Sequence, residues 1–186
     1  MILTENDKKL LLSLARESIV DTIAPERSRK KQPSHSTESL QLNCGAFVSL
    51  YVKEKLRGCI GTFSEEVTIS QNVKKMALSA AISDNRFTPV GAKELDELKI
   101  EISVLTPRER IHDINDIILG KHGIYMKHGL NRGTLLPQVA VNQNWTVREF
   151  LGNCAKYKAG IGWDGWRSAD LYTYEALVFS SDEIGF

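Results

Sequence analysis

The chain contains no apolar run approaching the roughly 20 residues that a membrane-spanning helix requires, so no membrane anchor is expected. Cysteine is scarce. Cys44, Cys59 and Cys154 are odd in number, widely spaced and never in a CxxC pair. No cysteine–histidine spacing matches a structural zinc site, and the usage suits free thiols in a reducing compartment rather than a disulfide framework. An excess of one charge is missing too. The 24 Lys plus Arg against 23 Asp plus Glu leave a net charge of +1, which provides no global attraction to nucleic acid or anionic lipid. The leading residues Met1-Ile2-Leu3-Thr4-Glu5-Asn6-Asp7 are acidic where a secretory leader would be basic, and a cytoplasmic protein is expected. Paired-carboxylate, phosphate-loop and dinucleotide signatures are absent, as are internal repeats, and no cofactor follows from the residues.

What is present is an ordinary globular composition: 186 residues, 42% hydrophobic and 25% charged. That length suits one large domain or two small subdomains sharing a core. Leu10, Leu11, Leu14, Ala15, Ile19 and Ile23 recur at helical spacing behind a cap at Thr4 or Asn6, and Pro25 ends the helix. Residues 26–39 read as an exposed polar loop with a basic run, Arg27, Arg29, Lys30 and Lys31. No aromatics interleave with those charges, so nucleic-acid binding is not expected there.

The clearest β signal runs over 44–63. A three-residue loop at Lys53-Glu54-Lys55 would set Val52 against Leu56, Leu50 against Gly58 and Val48 against Ile60 as a core face. The other face would then pair Tyr51 with Arg57, Ser49 with Cys59 and Phe47 with Gly61. A small-residue helix is predicted over 68–83, a strand over 98–104, and strands over 123–127 and 133–136 about a turn. A helical turn is expected at 114–119 and a helix start at Pro137. A helix capped by Thr146 should reach Lys158, and a final strand should cover 171–179. Hairpins without sustained βαβ alternation make the class α+β, with antiparallel pairing.

Leu56-Arg57-Gly58-Cys59-Ile60-Gly61 is the most unusual stretch. Glycine inside a strand costs entropy and makes sense where another backbone or a ligand comes close. Period-two geometry sets Arg57 and Cys59 on one face, where a guanidinium would favour the thiolate and offer a fork for a carboxylate or phosphate. The plainer reading has Cys59 as a small core residue and Gly58 and Gly61 as seats for a helix. Asn85-Arg86-Phe87 follows a helix end, and Arg86 there suits either an anion or the capping of carbonyls. Pro137-Gln138 could open a helix toward a ligand, and Lys158 lies by a glycine-rich loop. None of His35, His112, His122 and His128 sits in a zinc-protease or triad-like motif.

The hexapeptide with Thr62-Phe63 resembles the hallmark of the AMMECR-type domain family, the AmmeMemoRadiSam system protein A family. Asn85-Arg86-Phe87 with Pro89 follows in order, then Glu101-Ile102-Ser103-Val104-Leu105-Thr106 and Gly120 with His122-Gly123-Ile124. Gly133-Thr134-Leu135-Leu136-Pro137-Gln138-Val139-Ala140 and the Trp145 and 158–160 region complete the resemblance, which covers nearly the whole chain. Where many relatives have Asp-Ser-Arg-Phe, this chain has Asp84-Asn85-Arg86-Phe87.

The resemblance implies a single AMMECR-type domain over 1–186, of α+β fold. It implies two unequal subdomains built on antiparallel sheets with flanking helices, the hexapeptide lining a cleft between them. It also implies association with Memo-like and radical S-adenosylmethionine proteins. Two functional expectations follow. One is a ligand- or partner-binding component whose site draws on Gly58, Gly61, Asn85, Arg86, Phe87, Gln138 and Lys158. The other is an enzyme with Cys59 as thiolate nucleophile and Arg57 as anion clamp.

Overall fold

Residues 3–28 and 37–185 are described by the structure, a computed structural model. The Arg29, Lys30 and Lys31 part of the basic run, Pro33 and His35 lie outside those residues. The chain divides into two units, one running to Leu105 and resuming at Leu177, the other spanning Thr106–Ala176.

The first unit opens with α1 (Glu5–Ile23). Thr4 is the cap, in a reciprocal capping box with Asp7. Its apolar face buries Leu11, Leu12, Leu14, Ala15 and Ile19. The hairpin β1 (Ala46–Val52) and β2 (Lys55–Thr62) follows, then α2 (Ile69–Ile82) and β3 (Leu98–Leu105). A second capping box, Thr68 with Gln71, starts α2. The helix turns Val73, Met76, Ala77, Ala80 and Ala81 inward, small enough to bring its backbone onto the sheet. Ala46, Val48, Leu50, Ile100, Ile102 and Val104 form the sheet's side of this core.

The second unit holds β4 (Glu109–Ile111), β5 (Gly123–His128) and β6 (Asn131–Leu135). The short helices α3 (Pro137–Asn142) and α4 (Val147–Asn153) and strand β7 (Asp170–Tyr174) complete it. The helix begun at Thr146 does not stay α-helical to Lys158. It changes to a π-helical turn over Cys154–Ala159, closed by Gly160 at φ 67°. Ile124, Met126, Leu135, Phe150, Leu151 and Cys154 build a separate core.

The strand expected over 171–179 is in fact two. β7 stays in the second unit's sheet, ordered β4-β7-β5-β6, and β8 (Ala176–Ser180) joins the first, ordered β2-β1-β3-β8. An unbroken run of strand-forming residues signals extended backbone, not which sheet it joins.

The hairpin register agrees with expectation from Ala46↔Thr62 through Leu50↔Gly58 and then slips, to Tyr51↔Leu56 and Val52↔Lys55. The loop is therefore the two residues Lys53 and Glu54, at φ 50° and 62°. This suits the twist of a hairpin even without glycine. Lys53 pairs with Glu97 and Glu54 with Lys99 beside it. An even loop would turn Ile60 away from the core. One extra residue, Arg57, restores the core face as a β-bulge.

Candidate binding site on the glycine-interrupted strand

β2 is the edge of its sheet, so half of its backbone groups need partners from outside the ladder. At Cys59 both are supplied. Its N–H donates to Asp84 Oδ2 at 2.8 Å, and its carbonyl accepts from an Arg86 terminal nitrogen at 3.0 Å. Asp84 is buried, and takes Arg86 Nε on Oδ1 at 2.9 Å and a terminal nitrogen on Oδ2 at 2.6 Å. The Arg86 guanidinium, with the Cys59 N–H, holds this carboxyl far below the usual carboxylate range against the opposing effect of burial. Together Asp84 and Arg86 do the work of a neighbouring strand at one residue.

Arg57 is engaged by the protein's own groups. Displaced by the bulge, its guanidinium meets Glu94 in a two-point pair, Nε to Oε1 at 2.7 Å and a terminal nitrogen to Oε2 at 3.0 Å. It also donates to the carbonyls of Thr88 at 3.0 Å and Pro89 at 3.4 Å. Four of the five donors that a guanidinium carries are thereby engaged. The same Glu94 accepts the Gly91 N–H, and the Arg57 hydrogen bond lowers its pKa. The period-two argument that paired Arg57 with Cys59 stops at the bulge, because the extra residue interrupts the alternation.

Gly58 seats a helix, α2, whereas Gly61 faces a ring of the neighbouring strand. A Cβ on Gly58 would lie 2.0 Å from the Ala80 carbonyl oxygen, and one on Gly61 would lie 2.1 Å from the Phe47 ring. The space beside each is filled by the protein's own backbone or ring, not left for a ligand. Asn85 is exposed, Phe87 is half-buried, and the Arg86 guanidinium lies 5.4 Å from the Phe87 ring centre. Gln138 and Lys158 belong to the second unit, where Lys158 is exposed on the π-helical turn and Gln138 half-buried in α3.

The Cys59 side chain lies on the sheet face away from α2. It is half-buried, and Ser49, its cross-strand partner, donates a hydrogen bond to Sγ at 3.3 Å. Both Cys59 backbone groups point to the free edge, so this is a pair whose side chains approach closely. Glu101 lies opposite Ser49 on the next strand and hydrogen-bonds Tyr51. Burial, reinforced by Glu183, raises the Glu101 pKa, and burial followed by the Glu101 charge raises that of Tyr51. Thiol, hydroxyl, phenol and carboxyl thus share one face of the sheet. The other cysteines are sealed in: burial pushes Cys44 up to about 11 and Cys154 up to about 12, the latter against the pull of Lys158.

Asp84, Glu94, Ser49 and Glu101 join the site only through the fold. Asp84 carried a local signal, since its Oδ1 accepts the Arg86 N–H two residues on, the usual aspartate turn. Glu94, some 37 residues from Arg57, had none.

Comparison with known proteins agrees with this architecture. The chain is 39% identical to Protein MK0488 of Methanopyrus kandleri, covering 97% of this chain and 91% of that protein. It is 36% identical to Protein NEQ441 of Nanoarchaeum equitans, covering 81% and 88%. The crystal structure of uncharacterized protein PH0010 from Pyrococcus horikoshii superposes with a TM-score of 0.81 at 33% identity, covering 92% of this chain and 89% of that one. The AMMECR1 family model matches residues 12–179. An α+β chain of two units, with the Cys59 strand locked at the edge of one sheet, is therefore a member of the AMMECR1 family.

Proposed function

We propose that this protein is a cytoplasmic binding component acting with Memo-like and radical S-adenosylmethionine proteins, the partners its family resemblance implies. In this reading the Cys59 face of β2 receives a small ligand or a segment of such a partner. One observation carries it: the backbone at Cys59 is held on both sides by Asp84 and Arg86, while the thiol stays accessible beside Ser49. A group fixed so firmly and left open is preorganised for recognition. Tyr51 and Glu101 extend the polar surface along the sheet, and Asn85 and Phe87 adjoin Arg86 in the loop after α2. The alternative, a Cys59 nucleophile assisted by Arg57, is disfavoured by the four bonds Arg57 already makes.

The test is a thermal-shift screen against a metabolite panel, with pull-down against purified Memo-like and radical S-adenosylmethionine proteins. It uses native protein and protein alkylated at Cys59 with N-ethylmaleimide. Native protein should bind at least one of these, and the alkylated form should lose that binding. Binding that survives alkylation unchanged, or no binding in either assay, would overturn the reading.

A further inference from the structure

The β1–β2 hairpin carries a second register within its own sequence. The pairs from Ala46↔Thr62 through Leu50↔Gly58 fix the strands up to the bulge, where the Ala80 carbonyl closes over Gly58. From there to the tip two pairings are open. The observed one turns at Lys53-Glu54 and absorbs the odd residue at Arg57. The other turns at Lys53-Glu54-Lys55, needs no bulge, and sets Val52 opposite Leu56 and Tyr51 opposite Arg57.

Three features weigh against the observed register. Lys53 and Glu54 both hold left-handed backbone, a conformation that glycine or asparagine adopts at less cost. A three-residue loop asks this of one residue only. The bulge interrupts the ladder. Leu56 is left 36% exposed, whereas opposite Val52, which packs on the core, it would lie on the apolar side. Against these stands one set of contacts: Arg57 with Glu94 and with the Thr88 and Pro89 carbonyls. The solvent-facing pairs Lys53–Glu97 and Lys99–Glu54 add little.

We infer that the hairpin tip is a two-register switch, latched by Glu94, that carries Arg57 from the strand edge to the Cys59 face. Release of the latch lets residues 55–57 slide by one position while Gly58 and everything after it stay in place. Tyr51 shares its side of β1 with Ser49, the partner of Cys59, so the guanidinium arrives beside that pair. Glu101, opposite Ser49, is half-buried and repelled by Glu183, and it gains a cation. Two packings separated by a few contacts form an element that a bound group can bias. A part for Arg57 in recognition rests on the function proposed above; the two registers do not.

Nuclear magnetic resonance of the full chain reads the register from cross-strand Overhauser effects. Wild type should show Val52 against Lys55. Glu94→Gln keeps the shape and gives up the charge, and should add a second set of peaks with Val52 against Leu56 and Tyr51 against Arg57. Lys53→Asn with Glu54→Gly relieves both left-handed positions, and in the Glu94→Gln background should abolish that second set. A single register in Glu94→Gln, or a second set that the Asn-Gly turn leaves unchanged, would overturn the switch. Cys59 reports the arrival of the cation. Its alkylation by anionic iodoacetate relative to neutral iodoacetamide should rise severalfold in Glu94→Gln and fall back with the Asn-Gly turn. A ratio that does not follow the register would overturn the transfer of Arg57. Neither readout depends on whether the Cys59 face binds a ligand. Should Glu94→Gln fail to fold, Arg57→Lys, which keeps the charge and loses the two-point pair, decides the register in its place.

Discussion

The sheet β2-β1-β3-β8 and the sheet β4-β7-β5-β6 each lay one apolar face on helical segments and carry polar groups on the other. Both also seat a helical segment through a glycine. Gly58 admits the Ala80 carbonyl of α2, and Gly133 admits the backbone of Ala159 in the π-helical turn. They differ in what the polar face presents. The first offers a thiol, hydroxyls and a half-buried carboxyl. The second offers tyrosines among cations. One architecture thus supports two chemistries, because the alternate positions of a strand are free to vary once the core positions are satisfied.

The glycines give the sharpest way to break the comparison. A Cβ at Gly58 would lie 2.0 Å from a backbone oxygen, against 2.7 Å from the Ala159 nitrogen at Gly133. Gly58→Ala should cost about 3 kcal/mol, the upper end for overpacking, with Tm falling by roughly 6–12 °C. Gly133→Ala should cost less, about 2 kcal/mol. Equal melting temperatures for the two variants would show that α2 shifts freely on its sheet.

The lock on the first sheet's edge is next. Asp84→Asn keeps an acceptor for the Cys59 N–H but removes the charge that holds Arg86, which is itself 57% exposed. The loss should be about 2 kcal/mol at pH 7 by urea unfolding. The folded Asp84 pKa is depressed below an unfolded value of about 3.9, so the unfolded chain takes up the proton more readily. The stabilisation is full above about pH 4 and drains away as pH falls further toward the folded pKa. The wild type should therefore lose stability below pH 4 more steeply than Asp84→Asn.

A double-mutant cycle over Arg57→Ala and Glu94→Ala should return a coupling of about 1 kcal/mol, modest because Glu94 is 32% exposed. Zero coupling would free Arg57 for a ligand after all. The smallest effect belongs to Cys59. Cys59→Ser should change stability by less than about 0.5 kcal/mol. It should nonetheless remove the thiol that native protein alkylates first, since Cys44 and Cys154 are buried with raised pKa values. Mass spectrometry after brief iodoacetamide treatment reads this directly.

The amino-acid order alone determined most of the local structure. Helix caps at Thr4, Thr68 and Thr146, the alternation in β1 and β3, and the lower hairpin register through Leu50↔Gly58 all follow from short-range rules. The ordered motifs also carried the family resemblance. The tertiary structure alone decided the bulge at Arg57, the partnership of Arg57 with Glu94 and of Cys59 with Asp84, and the parting of β7 from β8. Periodicity reports which side of an element faces inward. Which distant side chain meets an exposed donor depends on the path of the chain in space, and no spacing along the sequence encodes that path.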